Sequence, residues 1–83
     1  MNCLIIFKSL TFAQSALQTL KRSGIGGSII KPPVSLGQGS CSHGVQVREI
    51  DLGRARKALS SMSMSILGVY QQLPQGRYRE ILT

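Results

Sequence analysis

Residues 3–22 read CLIIFKSLTFAQSALQTLKR, and this stretch decides the fold. Cys3 to Phe7 is an unbroken apolar run with Lys8-Ser9 behind it. Such a run suits a central strand covered on both faces rather than an alternating surface strand. Ser9 is placed to cap a helix. Leu10, Ala13, Leu17 and Leu20 then recur at steps of three and four, with Ala16 beside them. Lys21 and Arg22 fall in the last turn, where the helix dipole favours positive charge. Gly24 is suited to end the helix.

Working outward, Ile25 to Lys31 gives a short second strand centred on Ser28-Ile29-Ile30, closed by Pro32-Pro33 because proline donates no ladder hydrogen bond. Residues 34–44, VSLGQGSCSHG, form a glycine- and serine-rich loop. Val45 to Ile50 alternates as a third strand. Asp51 is a candidate N-cap for a second helix with Leu52, Ala55, Leu59 and Met62 on its inner stripe, and Gly53 weakens its first turn. Ser60 to Ser65 frays that helix into a loop. Ile66 to Tyr70 is the fourth strand, Leu73 to Gly76 a turn, and the segment from Arg77 to Leu82 a further short strand at most. The expected fold is α+β, a ferredoxin-like βαββαβ domain over residues 1–83, with a four-stranded antiparallel sheet and two helices on one face.

Composition narrows the function. The chain has 83 residues, 42% hydrophobic and 16% charged, and four aromatics without tryptophan. Its core is thin, because a domain of this size buries only about 60% of its unfolded surface. A large cofactor enzyme is excluded, no cofactor is expected, and any active site has to sit on a loop or surface. The net charge of +7 favours an anionic partner, yet Lys21-Arg22, Arg54-Arg56-Lys57 and Arg77-Arg79 are separate short groups. No stretch is long enough to span a membrane. Lys8 interrupts the apolar start, which argues against a signal peptide and for a cytoplasmic protein.

Connectivity places Cys41 in the 34–44 loop, near Lys8, Ser9 and the N-terminus of the first helix. A thiol there has its thiolate favoured, which suits persulfide, selenide or disulfide exchange. Gly39, Ser40, Ser42 and Gly44 leave it uncrowded, and their N–H groups can hold an anionic sulfur. His43 is a candidate base. A glycine-serine loop also needs no function, and such a cysteine can merely sense oxidation. Cys3 reads as a small hydrophobe within its strand. A Cys3–Cys41 disulfide is disfavoured, because a five-residue strand at ~3.3 Å per residue already exceeds the Cα separation a disulfide tolerates. Two cysteines and one histidine do not close a tetrahedral zinc site, so no metal is expected.

These residues resemble a family of small bacterial domains, the selenium/sulfur carrier-like family. The likeness rests on LIIFKSLTFAQSALQTLKRSGI, Pro32-Pro33, GQGSCSHGVQVRE, the Val69-Tyr70 strand and the closing GRYREIL. Its specific part is the Gly-Ser-Cys-Ser segment with Gly44. The resemblance implies that Cys41 carries sulfur or selenium, and that a cysteine desulfurase or a selenium-handling protein is the partner.

Two rival readings remain. RNA-recognition sheets stack bases on aromatics, but VQVREI has none and Phe7 stands alone on the first strand, so nucleic acid is disfavoured. The other is a non-enzymatic binding or dimerisation module with a basic surface. Leu4 and Ile6 point away from the helices and would lie open for a homodimer across the sheet. Classical catalysis is poorly served, since Glu49, Asp51 and Glu80 are the only acids and Asp51 is better used as a cap.

Overall fold

A computed structural model of the chain describes residues 2–33, 36 and 42–81. Strand β1 spans Asn2–Phe7, helix α1 Leu10–Arg22, β2 Ser28–Ile30, β3 His43–Arg48, α2 Leu52–Ala58, β4 Ile66–Leu73 and β5 Arg77–Glu80. Short 3-10 turns cover Glu49–Asp51, Ser60–Ser65 and Pro74–Gly76. The sheet has five strands in the order β2-β3-β1-β4-β5, every neighbouring pair antiparallel. The expected four strands are therefore five. The fifth forms because Pro74 and two positive-φ residues, Gln75 and Gly76, turn the chain back onto β4.

The first helix forms as its sequence dictates. The Ser9 hydroxyl accepts from the Phe12 N–H at 3.4 Å. At the other end Gly24 takes φ +78°. Its N–H donates to the Lys21 carbonyl, and the Ile25 N–H donates to the Leu20 carbonyl. This pattern satisfies the last orphan carbonyls, and the apolar pair Leu20 and Ile25 closes it in the core.

Cys3, Ile5 and Phe7 of β1 join Ala13, Ala16 and Leu20 of α1, with Val45, Val47, Ala55, Leu59 and Val69 completing one core. Leu4 and Ile6 point to the other face. They are fully buried too, within a single chain, so they do not provide the open apolar face expected for a dimer. Their seats are glycines. Ile6 pairs with Gly44 on one side and Gly68 on the other. A Cβ on Gly44 would sit 2.5 Å from Leu4 Cδ1, and one on Gly68 would sit 2.9 Å from Tyr70 Cε2. Leu4 and Tyr70 thus fold down over the two glycines.

Two sequence expectations at the third strand change. β3 runs from His43 to Arg48 rather than Val45 to Ile50, and Ile50 is 79% exposed in the following turn. Asp51 makes no side-chain cap for α2. Its carboxylate is 4% exposed and accepts from Arg54 Nη2 at 2.8 Å and Arg48 Nε at 3.3 Å. The buried carboxylate needs charge partners more than the helix needs a cap.

Gly44→Ala is expected to destabilise the fold by ~1–3 kcal/mol through overpacking against Leu4. In a Leu4→Ala background the added methyl should cost much less, and urea unfolding of the four proteins measures this coupling. A second expectation concerns acid. The Arg54 hydrogen bond, and then Arg48, hold the Asp51 carboxyl below its ordinary range. A depressed folded value stabilises fully above the unfolded value near pH 4 and is lost as pH falls through the folded one. Melting of wild type and Asp51→Asn across pH should show their gap widest near neutrality and closing below about pH 4.

Candidate functional site

Residues 31–42 connect β2 to β3. Ile30 pairs with Gly44 across β2 and β3. His43 pairs with Phe7, the last residue of β1. Lys8 and Ser9 follow at once and lead into α1, so His43, where the chain rejoins the sheet, lies at the end of β1 from which that helix starts. The first turn of α1 carries no acidic side chain. Its unsatisfied N–H groups and positive dipole end therefore lack a covalently nearby carboxylate.

The expected site residues divide. Ser42, 2% exposed, offers its backbone carbonyl to Lys31 Nζ at 3.0 Å. His43 is half-buried on β3, and Lys8 is exposed between β1 and α1. Gly44 lies within β3, where its missing side chain admits Leu4. Gly39, Ser40 and Cys41 lie outside the described residues, and of the expected N–H cradle Gly44 is instead a β3 residue paired on both sides, with Ile6 and Ile30.

Sequence reasoning passed over Lys31. It stands between the last residue of β2 and the proline pair, and its ammonium ties the start of the connection to Ser42 at its end. A lysine next to two prolines gives little signal in sequence, because the tie depends on which carbonyl β3 brings opposite. Lys31 rather than Lys8 is the lysine with a defined bond at the base of the loop.

Residues 2–71 match the family described as Putative Se/S carrier protein-like. The chain belongs to this family. The match takes in β1 through most of β4 together with the loop that holds Cys41, and it ends before β5. The closing GRYREIL therefore lies outside the matched region. No curated protein and no solved structure matches the chain.

Family membership puts weight on the two cysteines, which occupy contrasting places. Cys3 is fully buried in β1. Burial raises its thiol above the ordinary value, the nearby Glu49 carboxylate adds to the rise, and the N-terminal ammonium partly offsets it. A neutral, enclosed thiol is a poor nucleophile. Among the described residues no helix is long and apolar enough to cross a membrane.

In a Cys41→Ser protein, Cys3 should resist iodoacetamide under native conditions and react freely in urea. The native rate should be at least about a hundredfold lower, as for a group reached only through openings costing several kcal/mol. Alkylation followed by intact mass reads both rates.

Proposed function

We propose that this chain carries sulfur or selenium on Cys41, receiving it from a cysteine desulfurase or a selenium-handling protein in the cytoplasm. Family membership is the observation that carries this reading. The positions of Phe7, His43 and the start of α1 support it, since they bring the loop back beside a helix N-terminus free of acidic side chains. The buried, raised-pKa Cys3 supports it by elimination, because Cys41 is the other cysteine in the sequence.

The strand order β2-β3-β1-β4, with a helix in each connection between parallel strands, is read as a ferredoxin-like unit to which β5 is appended. Its use here is to bring the β2–β3 connection to the end of the sheet where α1 begins. The transfer step is a thiol exchange. The Cys41 thiolate attacks the outer sulfur of a donor persulfide. A bond forms between Cys41 Sγ and that sulfur as the donor's S–S bond breaks, and the donor leaves as a thiolate. The proton on the transferred sulfur travels with it, so no external oxidant or reductant is required. Lys31 holds the two ends of the loop together, while Lys8 and His43 supply positive charge and a proton acceptor near its mouth. Gly39, Ser40 and Ser42 are small residues that leave the thiol uncrowded, and their N–H groups are the proposed contacts of the bound anion.

The test is intact-mass analysis after incubation with cysteine and an active cysteine desulfurase. Wild type should gain one sulfur that a reductant removes, Cys3→Ser should gain the same, and Cys41→Ser should gain none. Equal loading of Cys41→Ser, or no loading of wild type while its thiol alkylates readily, would count against the carrier reading.

A further inference from the structure

Ile30, the last residue of β2, pairs with Gly44 of β3. Lys31 follows, and Pro32 behind it disfavours helical backbone at residue 31 and keeps it extended. Pro32 is buried, and the Pro33 carbonyl accepts from the Leu36 N–H at 3.1 Å. Across from this start stands Ser42, 2% exposed and next to the first residue of β3. Its carbonyl accepts from Lys31 Nζ at 3.0 Å. An ammonium on an exposed residue is thus held against a buried backbone carbonyl.

Ser42 is joined to Cys41 by a peptide bond. Backbone bond lengths and a Cα–Cα step of about 3.8 Å then put Lys31 Nζ within roughly 10 Å of the Cys41 Cα. At low salt a unit charge at that distance near a protein surface moves a thiol roughly two- to tenfold toward thiolate. Segment 31–44 contains no carboxylate, and the first turn of α1 contains none. Glu49 and Asp51 follow the far end of β3, and Glu80 lies in β5 opposite Tyr70. The lysine charge is therefore not offset from within its own segment.

We infer that Lys31 is a positioning residue for the transfer proposed above: the Ser42 carbonyl holds its ammonium beside Cys41, where its charge favours the thiolate that attacks the donor persulfide. The inference rests on the carrier reading of Cys41, and it assigns Lys31 an electrostatic effect beyond bracing the loop. The test uses the Cys3→Ser chain, in which Cys41 is the sole thiol of the sequence. It is compared with the same chain carrying Lys31→Met, Lys31→Arg or Lys21→Met. Two rates are read by intact mass near pH 7 and at low salt: alkylation by iodoacetamide, and sulfur uptake from glutathione persulfide. A smaller thiolate population is partly offset by the greater nucleophilicity of each thiolate, so Lys31→Met should slow both rates about threefold. Lys31→Arg should restore them. Lys21→Met removes the same charge from the last turn of α1, about 18 Å along the helix from its start, and should leave them unchanged. Raising salt to about 1 M should close the alkylation gap, which loss of a mere brace would not do. Melting temperatures should agree, since Lys31 is exposed. Unslowed alkylation of Lys31→Met, a gap that survives high salt, or a slow Lys31→Arg would each overturn the inference. Alkylation that follows residue 31 while no chain takes up sulfur would uphold the effect of Lys31 and count against the carrier reading.

Discussion

Complete enclosure of β1 is the constraint on which the rest of this structure depends. Its two edges are paired, to β3 and β4, and its residues from Cys3 to Phe7 have no exposed surface. One face is covered by the helices. On the other, Leu4 and Ile6 are fully buried as well, and they pack beside glycines of the neighbouring strands. Gly44 and Gly68 flank Ile6, and the Leu4 and Tyr70 side chains fold over the vacated positions. The arrangement costs strand propensity, since glycine weakens a strand interior. It also fixes register, because a one-residue slip would bring side chains where only hydrogens fit.

Register in turn positions the chemistry. With Phe7 opposite His43, β3 begins at the end of β1 that leads into α1. At the opposite end of β1, Cys3 lies beside Gln71. Gln71 donates to Glu49 and accepts from Arg79, joining the turn after β3 to β4 and β5. Asp51 ties Arg48 to Arg54 in the same region. The acidic side chains of the 49–51 turn thus serve cohesion at the end away from the loop. A cysteine within that polar lattice is kept neutral by burial and by Glu49.

What was legible in the sequence was local. The apolar run of β1, the Ser9 cap, the stripe of α1 and the Gly24 stop each depend on residues within a few positions of one another, and each forms as expected except that Leu10, the first residue of the stripe, is exposed. What was not legible depends on partners distant in the chain. Asp51 looks like a cap until Arg48 and Arg54 converge on it. Leu4 and Ile6 look exposed in the sequence, yet both are fully buried within the single chain. Arg77 to Glu80 carries three charges in four residues, a pattern that hides a strand, yet edge strands favour such charges because they discourage pairing with other chains. Of the candidate site, the placement of His43 near the first helix followed from connectivity, while the Lys31 tie to Ser42 required the fold.

The account comes down to which cysteine is used. The most direct measurement is peptide mapping by mass spectrometry of the chain isolated from its own cells without reductant. The account predicts one extra sulfur or selenium atom on the peptide bearing Cys41, removable by reductant, and an unmodified Cys3 peptide. A Cys41 peptide found only as free thiol or irreversibly oxidised acid, under isolation that preserves known persulfides, would contradict it.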